Sequence, residues 1–239
     1  MRSCLLLLAC CAASCLAAQT VHQVTEVPQP TGSYIAFKFD WDQGRPWLKY
    51  TITVDDAGST SFKGVANPID NGDGDDYLLD FTMSGANRDK IFELAKQADY
   101  FQGTLESKAK NIAKTGQKTL EYHGRSGGGV SNTSATYNYS SNKDVQQLTQ
   151  IFQSVATTID MGRRLAFDYR FDKLGLDARL RSLQELQASH FVNELQAIEP
   201  ILKKIAADPN VMHVSRVAAK QLISSISTTA PPAPTATQP

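Results

Sequence analysis

Beyond residue 15 the chain has no cysteine. Cys4, Cys10, Cys11 and Cys15 are the only four in 239 residues. The part that folds therefore has no disulfide framework, no zinc-thiolate site and no cysteine nucleophile. Long hydrophobic runs are missing too: no segment approaches the roughly 20 apolar residues needed to span a bilayer. The four histidines, His22, His123, His190 and His213, are scattered. No two stand four residues apart and no H-E-x-x-H occurs, so zinc-hydrolase chemistry has no support. An excess of one charge is also lacking, with 24 basic and 24 acidic residues. No basic stripe interleaved with aromatics is present, which argues against nucleic acid as a partner.

The cysteines lie in a segment of distinct character. Arg2 supplies a positive start, Leu5 to Ala13 is apolar or small throughout, and Cys15-Leu16-Ala17 has the small-x-small form of a cleavage site. Residues 1–17 read as a secretory signal, with Ala18 the first mature residue. Ala12-Ala13-Ser14-Cys15 offers a second reading, a lipobox in which Cys15 becomes acylated. Both readings export the chain, to the extracellular space or the periplasm. The second adds a lipid anchor, and a single acyl chain holds a membrane only marginally. About 220 residues would follow, enough for a core that stands without disulfides.

Residues 18–32, with Pro28 and Pro30, read as a linker, and residues 228–239, almost entirely Thr, Ala and Pro, as a disordered tail. Between them lies an α+β domain over 33–160, an antiparallel sheet with packed helices, and then a helical region over 161–227. Period-2 alternation predicts strands at Ser33–Asp40, Leu48–Val54, Thr60–Gly64, Tyr77–Met83, Thr119–Tyr122 and Ala135–Tyr139. Asp55-Asp56-Ala57-Gly58 supplies a turn between two of them. A helix is expected over Asn87–Ala98, with Ile91, Leu94, Ala95 and Ala98 on one face. A second opens with Asn142 as N-cap and carries Val145, Leu148, Phe152, Val155 and Ile159. Leu165, Phe167, Tyr169 and Phe171 fit either a strand or a continuing helix. Helical spacing resumes at Leu176, Leu180 and Leu183, and again at Leu195, Ile198, Leu202 and Ile205. Pro200 must kink that last stripe or start it anew.

Ala207-Asp208-Pro209-Asn210-Val211, followed by Arg216-Val217-Ala218-Ala219, separates two apolar stripes, the second made of Val211, Val214, Ala218 and Leu222. Residues 198–226 resemble a single HEAT-type helical hairpin, and the resemblance implies protein binding.

Three motifs invite chemistry. Gly124-Arg125-Ser126-Gly127-Gly128 matches G-x-S-x-G, but that pattern exposes a nucleophile only on a sharp strand-to-helix turn. Here a Ser/Thr/Tyr-rich strand follows in antiparallel surroundings, so a hairpin loop is expected and no catalytic residue is assigned. Asp70-Asn71-Gly72-Asp73-Gly74-Asp75-Asp76 gathers carboxylates on a glycine-rich loop. Asp70, Asp73, Asp75 and Asp76 are the candidate ligands for calcium, a hard cation that takes several oxygens. The loop is not an EF-hand: from either Asp70 or Asn71 the glycine and glutamate positions are wrong. Lys108, Lys110, Lys114 and Lys118 form a basic run, read as a solvated face or an anionic-ligand site. Asn132-Thr133-Ser134 and Asn138-Tyr139-Ser140 match the glycosylation sequon.

Charge is unevenly divided. Gln19–Tyr100 holds thirteen acidic and seven basic residues, net −6, and the rest from Phe101 holds eleven and sixteen, net +5. The two halves complement each other, or the basic half meets an anionic envelope surface. The expected function is a non-enzymatic exported protein that binds a protein or an anionic surface. A hydrolase with a site assembled from distant residues is one alternative, and a calcium-stabilised structural module another.

Overall fold

The computed structural model describes residues 32–70, 76–126 and 129–229. Strands β1 (Tyr34–Asp40), β2 (Trp47–Asp55), β3 (Ser59–Ala66) and β4 (Asp76–Thr82) form an antiparallel meander. Helix α1 (Gly85–Gln97) then crosses back, and β5 (Gln117–Ser126) pairs with β1 on the side away from β2. A hairpin adds β6 (Gly129–Tyr137), giving the order β4-β3-β2-β1-β5-β6. Four helices follow: α2 (Lys143–Phe171), α3 (Leu176–Ala188), α4 (Glu199–Ala207) and α5 (His213–Thr229). The protein is α+β, with helices gathered in its C-terminal region.

The alternation of the strands sets which face is covered. Ile35, Phe37, Tyr50, Ile52, Val54, Phe62, Leu120 and Tyr122 are buried on the helix-facing side. The opposite face is polar, carrying the Lys38–Glu121 and Lys63–Asp76 ion pairs, each at 2.7 Å, and a Thr119–Thr136 hydroxyl pair. The β2–β3 turn is fastened by Asp55 Oδ1, which accepts from the Ser59 N–H at 2.7 Å. Gly58 sits there at φ +93°, a backbone conformation that side chains disfavour.

Helix α2 lies on the covered face. Asn142 caps it, its side chain accepting from the N–H groups of Asp144 and Val145. The Phe152 ring stacks on Phe37 with centroids 5.1 Å apart, and Trp47 Nε1 donates to the Ala156 carbonyl at 3.1 Å. The ambiguous stretch 165–171 is helix. Leu165 is buried while Phe167 and Phe171 are exposed, so the alternating apolar residues do not share a face as they would in a strand.

The interior falls into two apolar clusters along α2. Val145 to Ile159 pack on the sheet and α1, whereas Met161 and Leu165 pack on α3, α4 and α5. Pro200 stands in the first turn of α4, where a missing N–H costs nothing, so it starts a helix rather than kinking one. In α5 the expected stripe is corrected in one place. Val214 is 50% exposed and Ser215 takes the buried position, because Val211 precedes the helix and does not set its phase.

Two contacts tie the helical part together. Gly162 lies against Ile198, and a Cβ there would come within 2.3 Å of Ile198 Cγ2. At the far end of α2, Tyr169 Oη and Lys173 Nζ both donate to Asp208 Oδ2, at 3.1 and 2.8 Å. These bonds, led by Lys173, hold the Asp208 carboxyl well below the usual carboxylate range.

Gly162→Ala is expected to destabilise the protein by about 1–2 kcal/mol in urea melts, since overpacking outweighs the gain in helix propensity. Because the Asp208 pKa is depressed, its contribution is fully present at neutral pH. It is lost as pH falls below the ordinary value of 3.8. Asp208→Asn should therefore lower stability at pH 7 and flatten the loss of stability between about pH 4 and pH 2.

Candidate functional site

The motif residues do not come together. Ser126 lies at the end of β5, with its backbone opposite Gly129 of β6. The chain thus makes a strand-to-strand hairpin there, not the strand-to-helix turn that exposes a nucleophile. Asp76 opens β4 and is paired with Lys63. The backbone of Asp70 ends a 3₁₀ turn at Pro68–Asp70, and Asp73 and Asp75 lie outside the described residues. His123 stacks on Tyr34 at 4.4 Å on the open face of the sheet, where its Nδ1 meets Asn132 Oδ1 at 3.1 Å.

The basic run divides. Lys108, Lys110 and Lys114 are exposed, but Lys118 is only 5% exposed. Its ammonium is caged by the Asn138 carbonyl at 2.8 Å, the Gly116 carbonyl and the Thr115 hydroxyl. Burial lowers its pKa. Lys118 therefore closes the long loop before β5 and does not form part of an anion site. Asn138 serves the same loop, donating from Nδ2 to the Ala113 carbonyl and accepting from the Thr115 N–H.

A cleft of about 350 Å³ opens instead between the β1–β2 loop, strand β2 and helix α2. Three rings, Phe39, Trp47 and Tyr50, line one wall. Trp47 is anchored by its bond to Ala156, and Tyr50 by packing between Phe39 and Phe62. Burial raises the pKa of the Tyr50 phenol, so it stays neutral. The helix contributes Gln150, Gln153, Ser154, Ala156 and Thr157 at helical spacing, and Arg45 and Pro46 stand at the mouth. The volume suits one ring or a short apolar chain, near the lower end of ligand sites.

The remaining wall is His190 and Phe191, carried by a strap between α3 and α4. This strap is held under strain, with His190 at φ 59° and Glu194 at φ 56°. Thr158 Oγ1 meets the Asn193 carbonyl at 2.5 Å and accepts from the Asn193 N–H at 3.2 Å. The Glu194 carboxylate reaches the start of α1, where it accepts from Ser84 N at 2.7 Å, Ser84 Oγ at 2.6 Å and Asn87 Nδ2 at 2.5 Å. Gln196 donates to it as well. Ser84 is the N-cap of α1. In a capping box the residue three positions on returns a carboxylate to the N-cap N–H. That position holds Asn87, and Glu194 supplies the carboxylate from 110 residues away. Its negative charge also opposes the positive end of the helix dipole.

Sequence reasoning did not find the cleft or the strap. Gln, Thr and Ala on a helix carry no motif, and Glu194 has no local pattern to mark it. No family model matches the chain, and neither a curated protein nor a solved structure does.

Glu194→Ala is expected to cost about 1–3 kcal/mol, the loss of a distant cap plus buried donors left unpaired. Hydrogen exchange should then quicken at Ser84–Asn87 and at residues 190–195 together. Protection lost at only one of these segments would show that the carboxylate does not join them.

Proposed function

We propose that the protein is an exported, non-enzymatic binding protein whose partner seats an apolar group in the cleft beside Trp47. The observation that carries this reading is the chemistry of the lining. Three aromatic rings offer apolar surface, while the two hydroxyls that could act as nucleophiles are spent inside α2. Ser154 donates to the Ile151 carbonyl at 2.8 Å and Thr157 to the Gln153 carbonyl at 2.9 Å. Neither is engaged by an imidazole or a carboxylate, the arrangement that activation requires. The α4–α5 pair, with its HEAT-type hairpin resemblance, supports a protein partner. So do Met212, Val214 and Val217, which leave apolar surface exposed at its turn. Export rests on the signal-like N-terminus.

The test uses the uncharged apolar dye N-phenyl-1-naphthylamine. Saturable fluorescence enhancement is expected with the native chain. Thr157→Phe, which fills the cleft from the helix side, should abolish it with circular dichroism unchanged. Dye binding indifferent to Thr157→Phe would overturn the reading. Turnover of an ester or glycoside panel, lost on substituting a cleft residue, would replace it with the hydrolase alternative.

A further inference from the structure

We infer that the cleft selects an apolar group bearing a carboxylate, with Arg45 as its anchor. This rests on the reading of the cleft as a binding site and adds the chemistry of what enters it.

None of the twelve lining residues is acidic. Arg45 is the one arginine or lysine among them, and it lines the cleft in company with Pro46 and Trp47. Its guanidinium is exposed and pairs with no carboxylate among the described residues. The other arginines near the cleft are committed. Arg163 lies over the Trp47 ring and, with Arg164, binds Asp160 at 2.8 and 2.6 Å. Among the described residues the cleft therefore presents one cation without a carboxylate partner, Arg45, beside an aromatic recess.

The polar lining is mixed. Ser154 and Thr157 have given their hydroxyl protons to helix carbonyls, so they offer lone pairs and no further donor. The donors that remain are the Gln150 and Gln153 amides, the His190 ring and the Arg45 fork. A guanidinium binds a carboxylate through two parallel charge-assisted N–H bonds, which are about twice as strong as those to a neutral acceptor. An amine would meet Arg45 as a like charge with no carboxylate to receive it. The recess holds about one ring, so a carboxylate that meets Arg45 must stand a few atoms from that ring. A free arylalkyl acid has this chemistry, and so does the C-terminal residue of a polypeptide that ends in an aromatic side chain.

Trp41 and Trp47 are the only tryptophans. A Trp41→Phe background therefore leaves emission from the cleft wall alone. Three probes of equal apolar bulk are titrated into the full chain: 4-phenylbutyrate, 4-phenylbutanol and 4-phenylbutylamine. The acid should bind about fivefold more tightly than the alcohol, the size of an ion pair at an exposed site. The amine should bind most weakly. Arg45→Gln should erase the preference for acid over alcohol, and Arg45→Lys should restore part of it. Equal affinity for acid and alcohol, or a preference that survives Arg45→Gln, would overturn the inference while leaving the cleft as a binding site. Failure of all three probes to bind would remove the binding-site reading itself, and this inference with it. Tripeptides ending in Phe, with free or amidated terminus, identify the source. A free-terminus peptide that outbinds 4-phenylbutyrate points to a polypeptide end, and one that does not points to a free acid.

Discussion

One helix has to satisfy two interiors that lie on opposite sides of it. The buried residues Val145, Leu148, Phe152, Val155, Ala156 and Ile159 form a single stripe toward the sheet. Met161 follows Ile159 by two residues, which turns the helix by about 200°. From there the buried positions, Met161 and Leu165, face the other way, into the helical cluster. The sheet half and the helical half are thus joined by a change of face within one continuous helix. At the change sits Asp160, 5% exposed, its carboxylate shared by Arg163 and Arg164. A buried charge is tolerable when paired and hydrogen-bonded in this way, and costly when it is not. Phe167 and Phe171 fall about 80° and 120° around the helix from Ile159, between the two buried stripes, and both stand in solvent.

The cleft is a by-product of this arrangement. Its helix residues, Gln150 to Thr157, belong to the part of α2 that packs on the sheet, and the β1–β2 loop and the strap supply further walls. Trp47 fixes the depth of the recess because its indole nitrogen is bound to the helix backbone. Thr158, on the strap-facing side of the same turn, fixes the third wall through Asn193. Rigid elements on two sides and a strained strap on the third are a common setting for recognition, since the scaffold holds its shape while the loop carries the variable residues.

The sheet was the most legible part of the sequence. Period-2 alternation in β2, where Tyr50, Ile52 and Val54 are buried and Lys49 is not, needs nothing beyond the chain itself. Asn142 was legible for the same reason, because an N-cap acts within three residues. The stretch 165–171 was not. Its apolar residues fit both periods, and the choice was made by α3, α4 and α5, which cover Leu165 and leave Phe167 bare. Lys118 misled because a lysine among lysines reads as surface, and only the folded loop supplies three oxygens to its ammonium. The cleft was illegible in a stronger sense: Arg45 with Trp47, Gln153, and His190 come from three separated segments. No spacing rule connects them, and their chemistry exists only once the helix has been laid across the strands.

Glu194 sets an order on synthesis. A helix normally receives its cap from the residues that precede it, so its first turn can close as soon as it is made. Ser84 does this for α1, but its own N–H gains a carboxylate only when the chain has grown by more than a hundred further residues. Contacts this distant in sequence form late and slow the folding of the whole. A chain still being made therefore leaves this contact open until Glu194 has been added, so the N-terminal half cannot gain it ahead of the C-terminal half.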